Sequence, residues 1–164
     1  MENAVANPQT ATVITPTELL EHWQGHRSLT RRVIEAFPEK ELFEYSIGGM
    51  RPFAAMAQEL LAIAAPGMKQ VASGQVEELN EEIKEATTKE RILALWDQST
   101  EEINKYWAQV PEERFRERIL TFGKYDNVVW CTILYFIDNE IHHRAQGYVY
   151  LRSLGIEPPA FWER

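Results

Sequence analysis

The chain has 164 residues, enough for one domain with a sizeable core and too few for two of ordinary size. Its 45% hydrophobic and 26% charged residues suit an ordinary globular domain, and no apolar run approaches the roughly 20 residues of a membrane span, so no membrane partner is expected. The net charge of −8 argues against nucleic acid as a partner, because phosphate binding requires a basic face.

Residues 1–14 are small and polar and are expected to form a flexible arm, leaving 15–164 as a single domain. They lack a basic start followed by an apolar run, so no secretory signal is expected and the cytoplasm is the expected location. Thr15-Pro16-Thr17-Glu18 predicts a helix start: threonine caps, proline is tolerated in the first turn, and Glu18 completes a capping box. This helix should run to Phe37, ended by Pro38, with Leu19, Trp23, Leu29, Val33 and Phe37 inward. Gly48-Gly49 marks a turn. A second helix begins near Pro52 and carries Phe53, Met56, Leu60 and Ile63. Pro66-Gly67 is expected to kink or break it before the pattern resumes through Met68 and Val71 to Gly74.

The acidic segment VEELNEEIKEA reads as a short solvated helix or a crossover connection. Thr87-Thr88-Lys89-Glu90 repeats the capping-box pattern and predicts a third helix, with Ile92, Leu95, Trp96, Ile103 and Trp107 inward and Pro111 at its end. Residues 112–125 alternate polar and apolar around Ile119, Leu120 and Phe122 and are expected to form an extended loop. A long helix then covers 126–155, with Val129, Ile133, Ile137, Ile141, Tyr148 and Leu151 as its buried stripe and Gly155, Pro158 and Pro159 as its stop. The single cysteine, Cys131, excludes an internal disulfide and reads as a small core residue of this helix. Phe161 and Trp162 are expected to dock on the body or on a partner. Four long amphipathic segments without a convincing sheet predict an all-α four-helix bundle.

Bundles build sites from inward polar side chains on facing helices. His22 and His26, four apart, share a face and could clamp a metal, although their polar surroundings, EHWQGHRS, read as exposed surface. His142 and His143 are neighbours and point roughly 100° apart on a helix. Asp138 with His142, or Asn139 with His143, therefore makes a two-ligand face, and periodicity leaves the choice open. From another helix the carboxylate that could join is Glu59, set among Met56, Leu60 and Ile63; it lies at the edge of that stripe or is buried and paired. Arg144 could pair with Glu140 along the helix edge or offer a fork to an anion, with Gln146 as a further candidate. Tyr135, Tyr148 and Tyr150 read as core rather than pocket lining.

The segment NEIHHRAQGYVYLRSLGIEPP resembles the last helix of the DinB-like family (damage-inducible, YfiT-like) of bacterial four-helix proteins, which carries HxxxHRGQ, a hydrophobic turn, then Gly and Pro. The LLEHW start and the arginine turn MRPFAAM extend the likeness from Thr15 to the end. The resemblance implies a DinB/YfiT-like bundle with a crossover connection between its second and third long helices. It also implies a pocket at one end, where a histidine of the second helix and two histidines four apart on the last hold a divalent metal. In this chain the histidine before the arginine is His143, its partner four earlier is Asn139, and the second-helix ligand falls on or near Glu59. Ala145 replaces the usual glycine. Glu59, Asn139 and His143 form a set richer in oxygen than the family's. Such a set suits manganese or iron better than zinc, with nickel as a further candidate. The function implied is a metal-dependent transferase or hydrolase that acts on small molecules, as a transferase with a low-molecular-weight thiol; a homodimer is implied under this reading and its alternative. The alternative is a bundle that has lost the metal and binds a small molecule or a partner without chemistry.

Overall fold

The computed structural model of the protein describes residues 12–164, so most of the arm expected over 1–14 lies outside the described residues. Helix α1 (Pro16–Ala36) starts as its sequence predicts: Thr15 Oγ1 accepts the Glu18 N–H at 3.2 Å, and the Glu18 carboxylate accepts the Thr15 N–H at 2.7 Å. Thr15→Ala removes the acceptor and is expected to cost about 1 kcal/mol. That loss would lower Tm by about 3 °C in a domain of this size. An unchanged thermal midpoint would show that the box does not hold the helix end.

Helix α2 (Glu39–Glu44) is short and was not expected; it buries Leu42. Helix α3 (Phe53–Ser73) runs through Pro66 without a break. Proline removes one hydrogen bond, but Ala62 to Ala65 before it and Met68 and Val71 after it are all buried, and that packing outweighs the local loss. Gly67 has its own reason: a Cβ there would overlap the ring of Phe136, so the pair lets α3 approach the last helix closely.

Helix α4 (Lys89–Trp107) is capped by Thr88, whose Oγ1 accepts the Arg91 N–H at 3.1 Å. The box expected from Thr87 and Glu90 does not form, because with Thr88 as cap the third position is Arg91. Glu39 of α2 instead accepts the Lys89 N–H at 3.0 Å. The loop expected over 112–125 is partly structured. A 3-10 turn (Glu112–Arg116) leads into strand β1 (Arg118–Thr121), which pairs antiparallel with β2 (Tyr125–Val128), Arg118 opposite Val128 and Thr121 opposite Tyr125. At the hairpin tip Phe122 has φ 55° and is buried, and the Gln70 side chain of α3 accepts its N–H at 2.9 Å. Helix α5 (Val129–Ser153) starts later than expected because Asp126 to Val128 are used in β2. It ends as expected on Gly155 at φ 75°, where the Ile156 N–H reaches Leu151 O at 2.9 Å and the Gly155 N–H reaches Arg152 O at 3.0 Å.

Contacts across the bundle define the directions. Lys89 Nζ donates to Phe37 O at 2.8 Å, and Trp107 packs edge-on against Trp23, so α4 runs antiparallel to α1. Phe53 stacks on Phe37 at 4.8 Å, so α3 begins where α4 begins and the two are parallel. The connection 74–88 therefore crosses the length of the bundle, and α1 and α3 lie on a diagonal, each touching both α4 and α5. The core is divided into an apolar cluster around Trp23, Trp107 and Phe136 and another around Phe37, Phe53 and Trp96. Between them lies a belt of buried polar residues that includes His26, Arg27, Thr30, Ser99, Glu140, His143 and Arg144.

Several inward assignments need correction. Leu95, Cys131, Ile141 and Tyr148 are only half-buried, and Phe161 and Trp162 are exposed rather than docked on the body. Among the described residues, no helix is long and apolar enough to cross a membrane.

Candidate functional site

Glu59, Asn139 and His143 come together where α3 and α5 face each other, near the end of the bundle at which α3 begins. His143 Nε2 is 3.1 Å from Glu59 Oε1, and Asn139 Nδ2 is 3.5 Å from the same oxygen. The Arg51 guanidinium, from the segment just before α3, pairs with the other oxygen, Oε2. Burial pushes the Glu59 carboxyl up, but hydrogen bonds from Arg51 and His143 outweigh it and hold the group below the ordinary carboxylate value. Asp138 and His142 are exposed, about 100° further around α5, and take no part.

The second nitrogen of His143 defines the chemistry of the first. Nδ1 is 2.7 Å from Gln146 Oε1, while the Gln146 amide nitrogen points at Met50 Sδ, 3.4 Å away. Turning the carboxamide exchanges its oxygen and nitrogen, so Nδ1 either donates to Gln146 or accepts from it. With Nδ1 as acceptor, a neutral His143 donates its Nε2–H to Glu59 at 3.1 Å; with Nδ1 as donor, the Nε2 lone pair faces the carboxylate and a cation must lie between them. That cation is a proton, which makes the pair imidazolium and carboxylate, or a metal ion. The spacing suits two donor atoms bonded to one ion at about 2.1 Å. Asn139 adds a carbonyl oxygen once its amide is turned, so the donor set fits a divalent ion. Among the described residues no group of three or more His, Cys, Asp or Glu side chains converges, so a metal here depends on Asn139 as third ligand.

Arg51 and Gln146 are the parts of this site whose roles sequence reasoning did not assign. Gln146, three residues after His143, is its neighbour on the helix and could have been found from that spacing, whereas Arg51 reaches Glu59 from the turn before α3 and nothing in spacing predicts that pair.

The other candidates are placed elsewhere. His22 and His26 do bring their Nε2 atoms to 3.1 Å, but His26 is buried. Arg144 points an N–H at His26 Nδ1 from 2.9 Å and Arg164 Nη1 lies 3.1 Å from Nε2, so both ring nitrogens face guanidinium donors whose positive charge opposes a metal clamp. Arg144 and Glu140 are buried in the polar belt rather than on a helix edge. Glu140 Oε1 accepts from Thr30 Oγ1 at 2.6 Å, and its Oε2 lies 3.6 Å from Arg27 Nη1. Tyr150 is core and donates to Arg51 O at 2.9 Å, which fixes the backbone that carries Arg51; Tyr135 is exposed.

A family model described as DinB family matches residues 7–164. The fold is similar to that of a DinB-like protein from Bacillus cereus ATCC 10987, with a TM-score of 0.72 and 14% identity, covering 88% of this chain and 95% of the other. It is also similar to a DinB-like protein, YjoA, from Bacillus subtilis, with a TM-score of 0.69 and 17% identity, covering 89% and 99%. At these identities the likeness is one of fold. No curated protein matches the chain.

Proposed function

We propose that this chain, which belongs to the DinB family, holds a divalent metal ion between Glu59, Asn139 and His143 and acts on small molecules with a low-molecular-weight thiol. The observation that carries this reading is the facing pair, His143 Nε2 and Glu59 Oε1 at 3.1 Å, with Gln146 Oε1 or its turned amide nitrogen 2.7 Å from His143 Nδ1 and fixing the ring. When bound, the ion would supply Lewis acidity, lowering the pKa of a bound thiol so that the sulfur is available as thiolate. The protein's share is to present three donors from two rigid helices and to keep Glu59 ionised through Arg51. The thiol rests on the family resemblance alone. A ligand set of one carboxylate, one amide and one imidazole favours manganese or iron over zinc.

A second reading is favoured by Arg51. Its guanidinium already neutralises Glu59, so the Nε2–H of a neutral His143 is enough to complete the cluster, and the bundle would then bind a small molecule without turning it over. Elemental analysis of tag-free protein separates the two. About one equivalent of metal, reduced at least tenfold in both Glu59→Ala and His143→Ala, is the expected result. Protein that takes up no manganese, iron, nickel or zinc on reconstitution would leave only the second reading.

A further inference from the structure

Where the start of α1, the 3-10 turn and the start of α5 meet, a cavity of about 710 Å³ opens to the surface. Its volume falls in the roughly 300–1,000 Å³ range of small-molecule sites. None of Glu59, Asn139 or His143 lines it. Leu19 and Phe115 form a buried floor, whereas Ile14, Trp130 and Leu134 line it at 50%, 41% and 36% exposure. Large apolar side chains that converge on one concave surface and stay in contact with water leave hydrophobic free energy for a ligand to gain.

The charge of the lining selects the ligand. Glu112 and Glu113 also line the cavity, and neither has an ionic partner among the described residues. Arg116 is the single basic residue of the lining, so two carboxylates oppose one guanidinium. The chain as a whole carries −8, which draws cations toward it and repels anions. Trp130 adds a large aromatic face against which the apolar body of such a cation can lie. A second copy of the chain fits poorly, because a stable dimer buries about 800 Å² on each partner. A recess with three exposed apolar side chains offers less.

We propose that this cavity binds a small organic cation with an apolar body, the ammonium directed to Glu112 and Glu113 and the body lying against Trp130 and Leu134. The site is independent of the Glu59–His143 cluster. The test is calorimetric titration of the full chain with 3-phenylpropyltrimethylammonium, beside 4-phenylbutyrate as the charge-reversed match. Saturable one-to-one binding of the cation is expected, at least tenfold tighter than that of the carboxylate. It should weaken at least tenfold in the double variant Glu112→Gln/Glu113→Gln and in Trp130→Ala, and stay unchanged in His143→Ala. The two glutamates are exposed, so the double variant is expected to fold even if Trp130→Ala does not. No saturable binding, equal binding of the carboxylate, or unchanged binding in the glutamate variant would each overturn the proposal.

Discussion

Glu140→Ala is expected to cost the fold about 3–5 kcal/mol, the penalty for stranding a buried charge by removing its partner. The side chains of Glu140 and Arg27 are each only 1% exposed, 3.6 Å apart, and Arg144 lies 4.0 Å from the same carboxylate. Arg27 is otherwise held by Trp96 O at 3.2 Å, Thr100 Oγ1 at 3.2 Å and the Trp96 ring beneath it at 3.6 Å, none of which carries a negative charge. Burial lowers the guanidinium pKa of both arginines, and Glu140 is the main group that pulls each back up. Without it, two guanidiniums share one interior with nothing to offset their burial and mutual repulsion, and only a separation of α1 from α5 that admits water relieves them. Urea unfolding reads the loss directly. Replacing Arg27, Glu140 and Arg144 together by Met should recover most of it, because a buried ion network is often no more stable than apolar packing of similar volume. A loss under about 1 kcal/mol for Glu140→Ala would mean that the guanidiniums reach water, and the buried-network account would fail.

That network also shows where sequence reading stops. The polar cluster in the middle of the last helix was visible, and so were its candidate pairs, but the buried stripe was followed by residue type. Val129, Ile133, Ile137 and Ile141 step by four, and each such step drifts roughly 40° around a helix of 3.6 residues per turn. The observed stripe alternates its steps: Ile133, Ile137, Glu140, Arg144, Gly147 and Leu151 are buried, and Ile141 has turned half out. Measured from Ile133 and Leu151, His142 lies roughly opposite, at about 180°, and His143 about 80° to one side. A strictly periodic reading would therefore have excluded the pair Asp138 and His142. It could not have shown that Glu140 and Arg144 were inward, because burial of charge depends on Arg27 and Thr30 arriving from α1, a fact of tertiary structure.

The same division holds for the rest of the chain. Thr15 and Glu18, and Gly155 at the far end, encode helix limits through contacts within a few residues, and these were legible. A break at Pro66 does not occur, because its local cost is opposed by packing on both sides. The hairpin after Glu117 was misread because four-residue strands carry too little alternation to stand out, and what fixes its tip is Gln70 from a helix 52 residues away. At the candidate site, His143 and Asn139 come from a motif, Glu59 from its position in a stripe and Gln146 from its i,i+3 spacing to His143, but Arg51 acts through a contact that spacing does not predict.

Acid should remove part of the stability through His26, and the direction follows from its surroundings. Its pKa is lowered to about 4, first by burial and then by the charges of Arg144, His22 and Arg164, whereas in the unfolded chain it returns to the ordinary value near 6.5. Between those two values the unfolded state binds a proton that the folded state refuses, so stability is complete above about pH 6.5 and falls as the pH drops toward 4. The full difference is on the order of 3 kcal/mol, comparable with the loss expected at Glu140. The lowered carboxyl of Glu59 acts in the same direction at lower pH, because protonating it removes what Arg51 and His143 gain from its charge. Urea unfolding at pH 7.5, 6.0, 5.0 and 4.5 separates the two groups. His26→Gln keeps a polar side chain beside Arg144 but has nothing to titrate, so the decline between pH 6.5 and 4.5 should flatten in that variant while its stability at pH 7.5 changes less. An identical decline in wild type and His26→Gln would assign the acid sensitivity to other groups and would mean that the His26 ring accepts a proton without disturbing Arg144.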